Sequence, residues 1–210
     1  MINLSVENKI EFFKFINGDN TISDLEKFIF SRIELEHQID SETYLTLISL
    51  NFEENFDYAK LLTLVKNKII EAGEFESWKL KKILTEFLIQ PHKIDVNLDK
   101  IYHLYYGIYQ ENTERKYEFK FLGNLALNYL FWAEEGYLKT HYGHNWKSEY
   151  KKCAMNFDFY FEQLKDFASE ILIALDKKEI EILNDGNYKI TDDLKKRLET
   201  DEIYTLKHLK

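Results

Sequence analysis

The chain reads as mainly α: a multi-helix bundle with one small C-terminal β-hairpin at about residues 179–190. Three observations predict this. One proline and seven glycines in 210 residues leave few helix breakers. Apolar side chains recur at three- and four-residue steps through most of the chain. Strand alternation is confined to Glu179–Leu183 and Tyr188–Ile190, which flank Asn184-Asp185-Gly186-Asn187 with Asp-Gly in the turn.

A chain of this length buries a core without disulfides, and Cys153 is its only cysteine, so neither a disulfide nor a Cys-rich zinc site is expected. The start lacks a basic, apolar secretory leader, and no apolar run is long enough to span a membrane. A bacterial cytoplasm is the expected compartment. The net charge is −9, and residues 1–60 hold most of it, with twelve Asp and Glu against five Lys and Arg. Such a field disfavours nucleic acid and anionic membrane and steers a basic protein towards that end.

In order, Glu7–Ile16 is a short helix stopped by Asn17-Gly18. Thr21 or Ser23 caps the next, and Ser23 with Glu26 has capping-box spacing. In it Leu25, Phe28, Ile29, Ile33 and Leu35 recur near helical spacing, with Asp24, Glu26, Lys27, Glu34 and Glu36 on the wet face. Ser41 caps a third helix containing Tyr44, Leu45, Leu47 and Ile48.

The run ISDLEKFIFSRIELEHQIDSETYLTLISLNF, residues 22–52, resembles a segment of bacterial toxin-immunity proteins of the polymorphic-toxin and contact-dependent-inhibition type. The matching positions are Asp24 to Phe30, then Leu35 and Glu36, then Tyr44, Leu45 and Leu47 to Phe52. Phe28 stands where such segments usually carry Trp. The resemblance implies a non-catalytic protein, without cofactor, that binds a cognate toxin and occludes it.

Asp57–Ala72 is an amphipathic helix closed by Gly73, and Phe75–Gln90 another ended by Pro91. The single proline makes Pro91–Val96 the expected hinge of a single domain, with an acidic lobe over 1–91 and an aromatic lobe over 97–210. A helix opening at Asn97 or Asp99 contains Gly107, which favours close contact with a neighbour. Lys116–Glu135 is the central aromatic helix, and its small Gly123 and Ala126 let another helix approach. Gly136 ends or bends it, Gly143-His144-Asn145 is a loop, and Lys147–Lys178 reads as one long helix. Thr191 caps a last helix that begins Asp192-Asp193.

Phosphate loops, nucleophile elbows and zinc-protease motifs are missing from the sequence. Glu134, Glu135, His141 and His144 could supply metal ligands, although two glycines interrupt the run and surface or capping roles fit it better. Glu34-x-x-His37 is half of a di-iron motif whose other half is missing. Lys195-Lys196-Arg197 on a helix–hairpin–helix end suggests a winged nucleic-acid module, but flanking acids make a solvated helix face the better reading. Tyr102, Tyr106, Tyr117, Tyr129, Trp132, Tyr137, Tyr142 and Trp146 either line the core or, near Gly136 and Gly143, anchor an interface.

The leading expectation is an immunity protein whose acids pair with basic residues that a toxin uses on its own substrate. Glu34, Glu36, Asp40, Glu42, Glu53 and Glu54 form the expected face, joined by Tyr137, Tyr142 and Trp146, with no catalytic residue, metal or cofactor. A helical scaffold or regulatory module is the rival. A metal-dependent enzyme using Glu134, Glu135, His141 and His144 is the third reading.

Overall fold

Twelve α-helices and a two-stranded antiparallel hairpin appear among the described residues, in the architecture expected from the sequence. A computed structural model describes residues 3–52, 58–90, 94–107, 118–155 and 157–199. The chain divides into two compact units, Met1–Lys79 and Leu80–Lys210. Of the hinge expected around Pro91–Val96, residues 91–93 lie outside the described residues, and Ile94 to Val96 already belong to a helix.

The first unit contains α1 (Val6–Ile16), α2 (Ile22–Ser31), α3 (Leu35–Gln38), α4 (Ser41–Ile48) and α5 (Tyr58–Leu64). The core draws Phe12 and Phe15 from α1, Leu25 and Ile29 from α2, Leu47 from α4 and Leu61 from α5. Helix α1 ends as its sequence predicts. Gly18 takes φ +77 and the Asp19 N–H donates to the Lys14 carbonyl at 2.8 Å, so the last carbonyls of the helix are satisfied.

Several boundaries differ from expectation. The second helix stops at Ser31, because Arg32 leaves the helical region at φ −114, ψ 81, so α3 is a separate turn. Its capping box uses Thr21 and Asp24 rather than Ser23 and Glu26, and Asp40 rather than Ser41 caps α4. Helix α5 continues into a π-helical turn at Val65–Ile69, where the Ile70 N–H reaches the Val65 carbonyl. Ile70 is extended, and Gly73 then lies in the first turn of α6 (Ala72–Ile89) rather than at a helix end.

The division between the units falls within α6. Its Phe75 and Trp78 pack on Phe13 at ring separations of 5.7 Å each, inside the first unit. Leu80, Leu84 and Phe87 belong to the core of the second. That unit continues with α7 (Ile94–Tyr106), α8 (Gly123–Trp132), α9 (Glu135–Tyr142), α10 (Trp146–Met155) and α11 (Phe157–Asp176). The hairpin β1 (Ile180–Ile182) and β2 (Tyr188–Ile190) follows, and then α12 (Asp192–Leu198).

Helices α7 and α8 pack closely, and Gly123 is where small size matters. A Cβ there would lie 3.3 Å from Cε2 of Tyr105. Gly107 is not inside a helix; it follows α7 with φ +59, a backbone state that costs glycine little. The expected helix from Lys116 to Glu135 is shorter. Its first two residues lie outside the described set, Lys120–Leu122 form a 3-10 turn, and α8 closes where the amides of Ala133 and Glu134 both donate to the Tyr129 carbonyl. The long helix expected over Lys147–Lys178 is represented by α10 and α11, with Asn156 between them outside the described residues.

The hairpin pairs Ile180 with Ile190 and Ile182 with Tyr188. Gly186 takes φ +94 as its amide donates to the Leu183 carbonyl, the three-residue loop form with glycine last. Ile180 and Ile182 are buried, whereas Glu181 and Lys189 face outward as a 3.7 Å ion pair. The Tyr188 ring lies edge-on to Phe121, and its hydroxyl donates to Glu199 at 2.5 Å, tying the hairpin to the end of α12. Burial, and then this hydrogen bond, push the Tyr188 phenol far above its ordinary value. Thr191 holds the N-cap position of α12 without a side-chain capping hydrogen bond.

Two stability predictions follow from the second unit. Tyr188→Phe removes a hydrogen bond to a charged acceptor and should lower unfolding free energy by about 1.5 kcal/mol, read from urea denaturation. Lys178 is an exposed lysine with φ +58 just past α11, where the Glu179 N–H bonds back to Ala174. Lys178→Gly relieves left-handed strain and should raise stability by about 0.5–1 kcal/mol. A lower urea midpoint for that variant would contradict the strain.

A candidate partner-binding face

Leu35, Ile39, Thr43 and Leu47 recur every four residues and are all buried, although α3 and α4 are separate elements. Burial of these four sends the residues between them outward. Glu34, Glu36, Asp40 and Glu42 are all exposed. Arg32 precedes them and lies 3.4 Å from the Glu34 carboxylate; from Ile33 to Phe52 the sequence has no Lys or Arg. Glu53 and Glu54, expected on the same face, lie outside the described residues.

Gln38 fastens this stretch to the start of α1. Its side-chain oxygen accepts from the Ser5 amide at 2.9 Å and from the buried Asn8 carboxamide at 3.0 Å. Its backbone carbonyl accepts from the Asn3 amide at 2.9 Å. Asp40 has a local task as well as an exposed position, since its Oδ1 accepts from the Thr43 amide at 3.0 Å. That hydrogen bond holds the Asp40 carboxyl below its usual range, and the Thr21 hydroxyl, then its amide, do the same for Asp24.

Two side chains that the helical spacing grouped with the apolar positions stand instead on this unit's surface, Ile33 at 77% exposure and Leu45 at 61%, and Phe30 is exposed at 60%. Periodicity continued through Ile33 because Ser31-Arg32 contains neither glycine nor proline to signal the break. Phe30 contacts Phe52 edge-on at 6.2 Å, while Ile29 and Leu35 nearby are fully buried. Leu45 falls three residues after Glu42 on the outer side of α4.

The second expected cluster serves the ends of α9 and α10. Glu134 caps α9, accepting from the Gly136 amide at 2.9 Å and from the Tyr137 amide. Glu135 pairs with Lys139, and His141 Nδ1 lies 3.1 Å from the Tyr137 carbonyl as its ring stacks on Tyr137. Gly136 therefore lies inside the first turn of α9, and Gly143–Asn145 is a 3-10 turn rather than an irregular loop. Tyr137 and Trp146 are half-buried and Tyr142 is 43% exposed. The Trp146 ring has the ammonium groups of Lys139 and Lys147 at 5.2 and 5.7 Å.

This geometry does not support the metal-enzyme reading. Glu134, Glu135 and His141 are engaged in capping, an ion pair and a backbone contact, and among the described residues no three His, Cys, Asp or Glu side chains group to hold a metal ion. Of the cations on α12, Arg197 pairs with Glu170 at 2.6 Å and Lys195 lies 4.0 Å from Glu199, so local acids offset its basic run. Cys153 is half-buried, and desolvation raises its thiol pKa, opposite to nucleophile activation. Among the described residues no helix is long and apolar enough to cross a membrane.

No family model matches the chain, and no curated protein or solved structure matches it either.

The caps on this unit predict an acid response. A carboxyl whose pKa is lower in the fold than in the unfolded chain adds stability that is complete above about pH 4 and is lost as pH falls through its lowered value. Asp24→Asn and Asp40→Asn should therefore reduce the urea midpoint at neutral pH. The deficit should shrink as the wild type is titrated to about pH 2. A deficit constant with pH would assign the effect to packing.

Proposed function

We propose that the chain is a bacterial immunity-type protein of the cytoplasm, which binds a basic toxin domain and neutralises it by occlusion. One observation carries the reading: four exposed acids, Glu34, Glu36, Asp40 and Glu42, occupy a stretch without Lys or Arg that the core holds in place. Its setting supports the same conclusion, because residues 1–60 carry twelve acids against five Lys and Arg. The resemblance of residues 22–52 to immunity proteins supplies the partner class.

The mechanism is electrostatic capture followed by steric exclusion. Exposed carboxylates raise the rate at which a cationic surface arrives and orient it before contact. Once bound, they occupy the basic groups with which a toxin would hold its own substrate. Tyr137, Tyr142 and Trp146 in the second unit are further contact residues in this proposal.

Co-expression with a toxin domain encoded beside this chain should restore growth. The quadruple variant Glu34→Gln, Glu36→Gln, Asp40→Asn, Glu42→Gln should restore it less. The association rate should fall at least about tenfold between about 50 and 500 mM salt. Equal rates at the two salts would sink the electrostatic mechanism. Binding without rescue would move the chain to the scaffold class.

A further inference from the structure

We infer that Phe30 and Ile33 form an apolar anchor at the N-terminal edge of the acidic stretch, seated on binding in an apolar hollow of a cationic protein surface. This rests on the proposal that the first unit binds a basic protein, and it names what that partner must present. Phe30 is the penultimate residue of α2 and Ile33 follows it by three. They expose 60% and 77% of their surface, while Ile29 and Leu35, one and two residues to either side, expose at most 1%. The core has thus taken its share of the segment's apolar residues, and these two remain outside it. Phe52 backs Phe30 at a ring separation of 6.2 Å, which restrains the Phe30 ring without covering it.

Charge selects the occupant. Ile33 is followed at once by Glu34, then by Glu36, Asp40 and Glu42, all exposed, and the one arginine nearby already lies against Glu34. An anionic or neutral apolar surface gains nothing from that setting, whereas a cationic one is attracted to it and brings the anchor into contact. The two parts then divide the work. Exposed acids set the rate of arrival and its salt dependence, and a desolvated apolar centre sets the rate of departure.

Two synthetic peptides of equal positive charge test this on the intact protein: oligolysine, and an amphipathic helix of leucine and lysine. The leucine–lysine peptide should bind at least about tenfold tighter by fluorescence anisotropy. That gap should fall below about threefold in Phe30→Ser and in Ile33→Ser, as expected when an anchor is removed. It should persist in Val96→Ser and Ile173→Ser, which alter exposed apolar residues of the second unit. Should Phe30→Ser unfold, Ile33→Ser still decides, since its side chain is largely in solvent. Equal affinity for both peptides, or a gap unchanged in both anchor variants, overturns the anchor. If toxin rescue fails while the anchor variants still lose the gap, the anchor stands and the toxin is the wrong partner.

Discussion

Short helices do not hold themselves in water, because the first turn fixes several residues for one hydrogen bond. Most of the first unit is built of such helices, and α3 is only the four residues Leu35–Gln38. Burial of one side chain per turn supplies what local hydrogen bonding lacks. Leu35, Ile39, Thr43 and Leu47 perform this for the acidic stretch, and Gln38 adds polar fastening to Ser5, Asn8 and Asn3. The orientation of every acid between them follows from those anchors.

That arrangement separates stability from function. An ion pair such as Arg32–Glu34 is solvent-exposed and contributes on the order of 0–1 kcal/mol. Exposed acids can therefore gather along one stretch without unfolding it, provided the apolar anchors remain. Asp40 belongs to both sets, since it caps α4 through the Thr43 amide and also faces solvent.

The second unit meets the same constraint with longer helices and aromatic packing. Gly123 allows the Tyr105 ring to lie against α8, and Tyr102 and Tyr129 meet at 5.6 Å. The hairpin is too short to be stable alone. Ile180 and Ile182 enter the core, and Tyr188 spans from Phe121 to Glu199, so its strands and α12 are held by side chains rather than by their few backbone bonds.

Scarce proline, three- and four-residue periodicity and one alternating segment were enough to specify a helical protein with a hairpin at Ile180–Ile190, because period and turn chemistry are local properties. Asn17-Gly18 and Asp185-Gly186 likewise marked their turns, since glycine there meets a positive φ that other side chains resist. Glu34 and Glu36 were legible as part of a wet face because they fall between apolar positions near helical spacing. Tertiary structure decided what local signals could not. Arg32 breaks a helix without a breaker residue, and Ile33, which the helical spacing had grouped with Leu25 and Ile29, stays outside the core. Glu134 and His141 could have been ligands or capping groups by spacing, and in the fold the start of α9 claims the carboxylate while stacking on Tyr137 with a backbone contact claims the imidazole. Which apolar side chain is buried depends on what packs over it, and that is settled only when the distant parts of the chain come together.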